Sequence, residues 1–371
     1  MPNLYLIFDD WTRGYSIRKL DLSSDDEAAE PGNDEAEPTI DHTNKYAALP
    51  EPVIRLEAPR GWSKSFTAAF GTMIMAMHRT GHWGDVTIFD VSTRAIIFGP
   101  RTNEDQVNPI YIPDGDRLFA FSSVSFELLD RKLLPARCCQ CSAAGLPQPA
   151  CCSQCGLAAA ASWRRLPDPV FYPQHVKAYA VHPDGQTIYV TAVMEFPTIL
   201  TFKFHMEEGW RLHGEWSLPF HDRGHFVPEL NAWVGLSRYP GIGHVCSCDL
   251  VPANRGAGYG KRPPWKVGKE SLMSEDPDEN HVGATLVYMG GGSQFCLLEC
   301  VCIKSKPNAA RKHCYLDEKP LRQYLMRVTT FSLKYDDNGD LTVGSSRRLR
   351  RYSVPEAATK SILDYPTAFW L

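Results

Sequence analysis

A strand, a tight turn and a second strand recur along this chain. The clearest copy is AYAVHPDGQTIYVTA at residues 178–192, where Asp184 and Gly185 separate two segments of alternating apolar residues. An Asp-Gly pair in such a setting is a strong short-range signal for a β-hairpin. Further copies are IYIPDGDRLFAFS at residues 110–122 and TTFSLKYDDNGDLTVG at residues 329–344. Three such hairpins predict a mostly antiparallel β protein.

The spacing of the apolar segments predicts a repeat of four-stranded units. Buried inner strands are expected at Met73–Met77, Leu118–Phe121, Tyr179–Val181, Phe226–Leu236 and Ala284–Met289. A four-stranded unit repeating at such intervals is typical of a propeller blade. With a further blade built from both chain ends, we predict an all-β fold: a single β-propeller over residues 1–371, of six four-stranded blades closed by pairing of the N- and C-terminal strands. Two β-sandwiches joined by a linker are the rival architecture, and they need a domain boundary that the sequence does not show.

Three polar or unusual segments interrupt the repeats. Nine acidic residues and no basic residue lie between Asp21 and Asp41, and residues 22–49 are expected to form a disordered acidic loop. Residues 137–161 form a Cys/Ala-rich insertion, and residues 308–320 form another polar insertion. Insertions of this kind belong at loop tips, where added length costs little.

The N-terminus and the cysteine content bear on location. The chain contains 12 cysteines, but its first ten residues lack the basic start and the cleavage site of a secretory signal. No apolar run approaches the roughly 18 residues of a membrane-spanning helix. We therefore expect a cytoplasmic or nuclear protein with no membrane association, whose thiols are free or metal-bound.

The insertion at 137–161 holds a candidate zinc site. Cys138 and Cys141 form one C-x2-C pair, and Cys152 and Cys155 form a second pair ten residues later. Four thiolates brought together by two such pairs suit tetrahedral zinc, and the spacing resembles that of small zinc ribbons. Ser142 stands where those ribbons usually carry glycine. The alternative is an unstructured insertion in which the spacing arises by chance.

Other motifs favour structural roles. His221, His225 and Glu229 have the residue types of metal ligands, but Gly224 and Pro228 disfavour a helix that would present both histidines on one face. Neither a nucleophile elbow nor a cysteine-protease signature occurs. The basic cluster SSRRLRRY divides its charge between two strand faces, and this pattern disfavours nucleic-acid binding. Five cysteines share strand faces and are expected to be buried as small hydrophobic residues: Cys246, Cys248, Cys296, Cys300 and Cys302.

Five longer segments carry a family resemblance: WRLHGEWSLPF (210–220), GHFVPELNAWVGLSR (224–238), HVGATLVYMGGGSQFCLLEC (281–300), TTFSLKYDDNGDLTVGSSRRLRRY (329–352) and the opening LYLIFDDW. Together they resemble a plant domain-of-unknown-function family (1668 type) that is greatly expanded in grasses. The resemblance implies a propeller of the kelch-like or F-box-associated type, and it transfers no catalytic residue. Because the first predicted strand begins by Leu4, we do not expect an F-box of the chain's own.

The sequence favours binding over catalysis. Strand repeats with varied loops and no catalytic constellation predict a non-enzymatic propeller that binds a protein or peptide through loops. A hydrolase or lyase with its site in the central channel is one alternative. A zinc-dependent interaction through Cys138–Cys155 is another.

Overall fold

β-Strands build almost all of the described chain. The computed structural model describes residues 2–22, 46–62, 65–77, 86–104, 106–133, 162–195, 197–238, 243–251, 260–303 and 323–371. These residues form two compact units, each a set of mainly antiparallel sheets with its own apolar cores. Within these ranges, no helix has the length and apolar character needed to cross a bilayer.

The first unit draws its described residues from Met1–Ser63, Pro219–Leu250 and Pro263–Trp370. The elements are β1 (Leu4–Trp11), β2 (Gly14–Leu20), β3 (Ala47–Ala48), β4 (Pro52–Glu57), β17 (Phe220–Val227), a 3₁₀ turn (Pro228–Leu230), β18 (Ala232–Ser237), β19 (Val245–Asp249), β20 (Trp265–Val267), β21 (Glu279–Gly290), β22 (Gln294–Ile303), β23 (Gln323–Tyr335), β24 (Leu341–Val343), β25 (Arg348–Ser353), α1 (Lys360–Asp364) and β26 (Thr367–Trp370). Its sheets have the strand orders β26–β1–β2–β4, β17–β18–β19–β20 and β21–β22–β23–β25–β3, and β24 pairs with β23.

The first and last strands of the chain pair with each other. β1 and β26 are antiparallel, with Leu4 opposite Trp370 and Ile7 opposite Thr367. Residues 4–8 of β1 are all buried, and a strand that is apolar on both faces requires cover on both. This pairing confirms the prediction that the N- and C-terminal strands share one sheet.

Strand β22 divides its side chains between the two cores of the first unit. Leu298 and Cys300 pack in one core with Met326, whereas Phe295 and Leu297 pack in the other. Successive side chains of a strand point to opposite faces, so a strand with a core on each side reads as a continuous apolar run. The run QFCLLECVCI has this character.

The second unit draws its described residues from Lys64–Leu218, Val251–Arg262 and Leu371. The elements are β5 (Phe66–Ala69), β6 (Met73–Ala76), β7 (Val86–Asp90), β8 (Ala95–Gly99), β9 (Ile110–Asp114), β10 (Arg117–Phe121), β11 (Phe126–Asp130), a 3₁₀ turn (Arg131–Leu133), β12 (Arg164–Arg165), a second 3₁₀ turn (Pro173–His175), β13 (Val176–Val181), β14 (Thr187–Val193), β15 (Ile199–His205) and β16 (Gly209–Gly214). Strands consecutive in the chain form three meanders, β5–β6–β7–β8, β9–β10–β11–β12 and β13–β14–β15–β16.

The hairpin between β13 and β14 forms where the Asp-Gly pair predicted it. Asp184 Oδ1 accepts hydrogen bonds from the backbone N–H groups of Gln186 at 2.8 Å and Thr187 at 3.0 Å. Burial alone would raise the pKa of Asp184, but these hydrogen bonds outweigh it and lower the pKa. Gly185 has φ +65°, which favours glycine. The turn residues therefore fix the register of the two strands.

One predicted strand is wrong. Residues Phe226–Leu236, expected as a single inner strand, comprise the end of β17, the Pro228–Leu230 turn and most of β18. Pro228 cannot donate to a strand ladder, and Asn231 has φ +47°, so the chain reverses between two apolar segments.

The all-β prediction is confirmed, with several separate sheets, none of which closes on itself among the described residues. Most of the predicted acidic loop 22–49 lies outside those residues. At its end, Ala47–Ala48 form β3, parallel to β25, and Leu49 is buried in a core. The insertions 137–161 and 308–320 lie outside the described residues.

Candidate functional site

The four predicted zinc ligands, Cys138, Cys141, Cys152 and Cys155, lie outside the described residues. Zinc binding by the insertion therefore stays a prediction. In the ranges that are described, no group of three or more His, Cys, Asp or Glu side chains is arranged to hold a metal ion.

The histidines of β17 are separated by burial. His221 is exposed, whereas His225 is half-buried with its Nε2 3.3 Å from the carbonyl oxygen of Leu286. Burial, followed by the positive charge of Arg223, lowers the pKa of His225 to about 3. Glu229 accepts a hydrogen bond from the backbone N–H of Gly292 at 2.8 Å. The three side chains do not form a metal-binding group, and His225 and Glu229 make local structural contacts instead.

An ionic cluster of the first unit comprises Glu279, Glu299, Arg327, Ser274 and His281. Arg327 Nη1 lies 2.9 Å from Glu279 Oε2, and its Nε lies 3.1 Å from Glu299 Oε2. The Nε contact is an ion pair whose geometry falls short of a hydrogen bond. His281 Nδ1 lies 3.2 Å from Glu299 Oε1, and the Ser274 N–H donates to Glu299 Oε2 at 2.9 Å. Apart from Arg327 Nε, these groups are paired with one another, so the cluster ties strands together.

A buried carboxylate in the second unit has a hydrogen-bond partner for only one of its two oxygens among the described residues. Glu127 on β11 accepts from the backbone N–H of Asn103 at 3.1 Å. Its other oxygen and the hydroxyl of Tyr111 on β9 are buried and have no hydrogen-bond partner among the described residues. Burial, followed by the charge of Glu127, raises the pKa of Tyr111. Such groups weaken the fold unless a partner reaches them.

The best-formed exposed site lies in the second unit, at two loops over an aromatic cluster. Phe171, in the loop that precedes β13, packs with ring centroids 5.6 Å from Phe121, 4.8 Å from Phe202 and 5.2 Å from Trp210. Edge-to-face and tilted aromatic pairs of this kind stabilise beyond the area that they bury. Phe171 therefore anchors the middle of its loop to the sheets below.

Hydrogen bonds hold the same loop at its start. Asp168 Oδ1 accepts from the backbone N–H of Phe126 at 3.1 Å, and the Pro167 carbonyl accepts from Trp210 Nε1 at 3.0 Å. Arg165 donates to Asp168 Oδ2 at 2.9 Å, and this hydrogen bond, with the charge of Asp168, raises the pKa of Arg165. The loop is thus fixed by both apolar and polar contacts.

A serine turn between β10 and β11 completes the site. Ser122 Oγ accepts from the backbone N–H groups of Val124 at 3.2 Å and Ser125 at 3.0 Å. Arg165 donates to the Val124 carbonyl at 3.1 Å, which joins this turn to the loop before β13. Val124 consequently projects from a rigid turn.

The two loops expose three apolar side chains, which we call the loop surface: Val124, Val170 and Tyr172. Their exposed fractions are 46%, 70% and 53%, while the intervening Phe171 is buried. The Tyr172 ring also contacts that of His175, with centroids 5.8 Å apart. Exposed apolar groups on a fixed scaffold with polar neighbours are typical of protein-binding surfaces.

The loop surface is suited to binding rather than to acid–base chemistry. Asp168, the carboxylate in the same loop, is already paired with Arg165 and with a backbone N–H. None of the sequence motifs described above points to this site. The sequence signal for this site is the run DPVFYP, in which Val170, Phe171 and Tyr172 lie between prolines. Because proline disfavours a regular strand, apolar residues in this run are not explained as part of a strand.

No curated protein matches this chain. Among solved structures, TolB from Acinetobacter baumannii is 11% identical with a TM-score of 0.34, covering 67% of this chain and 61% of its own. A protein of unknown function from Bacteroides thetaiotaomicron is 11% identical with a TM-score of 0.33, covering 64% and 53%. The chain therefore spans less than two thirds of these two structures. A DUF4784 family protein from Bacteroides caccae is 10% identical with a TM-score of 0.39, covering 100% and 73%.

One protein family matches most of the chain. Its description is "protein of unknown function (DUF1668)", and the match extends over residues 1–352. The matched range includes the strands of the second unit and the loop surface. The chain belongs to the DUF1668 family.

Proposed function

We propose that this protein is a non-enzymatic module that binds another protein or a peptide through the loop surface. The observation that carries the proposal is the exposure of Val124, Val170 and Tyr172 on two loops that are fixed by their own contacts. A loop that is already ordered loses little conformational entropy on binding, so more of the contact energy contributes to affinity.

The chemistry of the surface indicates the kind of partner. Tyr172 offers a large amphipathic ring, and the two valines offer small apolar contacts beside it. Arg165, Asp168 and Gln174 supply polar groups around these side chains. A partner that inserts an apolar side chain beside Tyr172 and hydrogen-bonds at the edge matches this arrangement.

Paired surface variants test the proposal. Val170→Asp and Tyr172→Ser alter the loop surface, and Val53→Asp alters an exposed valine on β4 of the first unit as a matched control. Each variant and the wild type are used as bait for quantitative affinity capture from extract of the source tissue. Thermal unfolding of all four proteins shows whether the fold is intact, since exposed substitutions change stability little.

The expected result is at least one protein that wild type and Val53→Asp capture but both loop-surface variants lose. Truncating a central tyrosine costs on the order of 2 kcal/mol of binding, or about 30-fold in affinity. Equal capture by all four folded proteins overturns the proposal.

The proposed architecture is one propeller of six four-stranded blades, closed by β1 and β26 and related to the kelch-like and F-box-associated propellers of plants. Support comes from the chain-consecutive meanders and from the pairing of β1 with β26. A crystal structure tests this architecture directly: six blades around one axis support it, and two separate sandwiches contradict it.

Zinc binding through Cys138, Cys141, Cys152 and Cys155 is proposed as a further property of a cytoplasmic or nuclear protein. The two C-x2-C pairs support it. Protein purified without chelator should contain one zinc per chain by mass spectrometry, and a Cys141→Ser/Cys152→Ser variant should contain none. Wild-type protein without zinc, or a variant that keeps it, contradicts the proposal.

A further inference from the structure

Strand β8 is the open edge of its sheet. It pairs with β7 from Ala95 opposite Asp90 to Gly99 opposite Val86. On its other side, β8 has no strand neighbour among the described residues. An open edge presents backbone N–H and C=O groups to any strand that can approach it.

The edge of β8 lacks the features that protect three other outer strands, β4, β16 and β20. β4 begins with Pro52 and contains Arg55, β16 contains Arg211, and β20 is three residues long with Lys266 at its centre. Proline, charge and shortness all discourage a foreign strand from pairing. The β8 sequence AIIFG has five residues, no charge and no proline.

The side chains of β8 add an apolar strip to this open edge. Ile96 is 49% exposed and Phe98 is 57% exposed, while Gly99 is buried. Ile96 and Phe98 are two residues apart, so they project from the same face of the strand. Ile97 points to the other face and packs against a core of the second unit.

This strip is complementary to itself. In an antiparallel pair of β8 strands centred on Ile97, Ile96 of each copy lies opposite Phe98 of the other, and all four side chains share one face. Cross-strand pairs of aromatic and β-branched residues stabilise sheets. We infer that a second copy of this chain docks along β8, forming an antiparallel homodimer with one sheet continuous across both copies.

The size of the contact sets its strength. Four half-exposed side chains of this size contribute on the order of 400 Å² of apolar surface, well below the about 1,200 Å² of a stable interface. The dimer is therefore weak and forms at high protein concentration.

Sedimentation velocity over about 5 to about 500 µM protein tests the inference across the range expected for a weak interface. Wild type should pass from monomer to dimer as its concentration rises. Phe98→Lys places a charge opposite Ile96 and should weaken association at least tenfold, while Phe98→Tyr should retain it. Val53→Lys on β4 and Val170→Asp on the loop surface are controls that should dimerise like wild type, so failure here is distinguishable from failure of the proposed function.

Hydrogen exchange locates the contact. Amides of residues 95–99 should become protected as wild-type concentration rises, and those of the folded Phe98→Lys variant should not. A monomer at every concentration overturns the inference. So does a dimer that Phe98→Lys leaves intact, or protection of residues 95–99 that does not depend on concentration.

Discussion

The partly buried histidine of β17 should make this protein lose stability as the pH falls. His225 is half-buried, its ring lies 6.2 Å from that of Tyr288 and 6.3 Å from that of Phe295, and its Nε2 contacts the Leu286 carbonyl. Burial, followed by the charge of Arg223, lowers the pKa of His225 from its ordinary value of 6.5 to about 3. The native state therefore keeps this imidazole neutral in mild acid.

Stability falls with pH because the unfolded state binds the proton more readily than the native state does. Between pH 6.5 and about pH 3, the unfolded chain protonates His225 and the native chain does not. Each pH unit within this window lowers the free energy of unfolding by about 1.4 kcal/mol. Allowing for partial titration at the upper end, the loss is about 2 kcal/mol between pH 6.5 and about pH 4.5.

A pair of variants isolates this contribution. His225→Gln keeps a hydrogen-bond donor for the Leu286 carbonyl but cannot be protonated, and His225→Phe removes both properties. Urea unfolding at a series of pH values should give both variants a shallower decline in stability than wild type. His225→Phe should also be less stable than His225→Gln by about 1 kcal/mol at every pH, because the carbonyl loses its donor. Stability curves of wild type and His225→Gln that run parallel from pH 6.5 to about pH 4.5 would refute the reasoning.

Four further substitutions test contacts by urea unfolding at neutral pH. Gly224→Ala should destabilise by about 1–3 kcal/mol, because an added Cβ would lie 2.3 Å from the ring of buried Phe220; an unchanged midpoint would contradict this close approach. Tyr111→Phe should be neutral or stabilising by up to about 1 kcal/mol, because its hydroxyl is unsatisfied, whereas Tyr15→Phe should cost about 1 kcal/mol because its hydroxyl accepts from a backbone N–H at 2.7 Å. The reverse order would be inconsistent with these contacts. Arg327→Met should cost about 3–5 kcal/mol by leaving two buried carboxylates without their cation, and a loss below about 1 kcal/mol would show that the carboxylates are not held as described.

Local signals in the sequence predicted much of the fold. Asp184 and Gly185 define their turn through contacts within a few residues, so the hairpin β13–β14 is predictable without knowledge of the rest of the chain. The same holds for the apolar strands at the two chain ends, whose pairing was predicted and found. The mistaken strand at Phe226–Leu236 shows the limit, because apolar content alone outweighed the turn signal of Pro228.

The candidate sites were less predictable because they combine distant parts of the chain. Arg327 meets Glu279 across 48 residues of sequence, and neither residue lies in a recognisable motif. Val124 and Tyr172 share a surface only because Arg165 and the aromatic cluster bring two separate loops together. Single-sequence patterns report the period of a strand or the chemistry of a turn, and they carry little information about which loops meet.

The pairing of β1 with β26 also sets the order of events during synthesis. The strand Leu4–Trp11 is made well before its neighbour Thr367–Trp370, which follows more than 350 residues later. At about 5–20 residues per second, the nascent apolar strand waits on the order of half a minute for that partner. Contacts so distant in sequence also form slowly, because a long loop must close first. The sheet that holds Leu4–Trp11 is thus completed only after Thr367–Trp370 has been made, and until then the other contacts of the growing chain must cover that apolar strand.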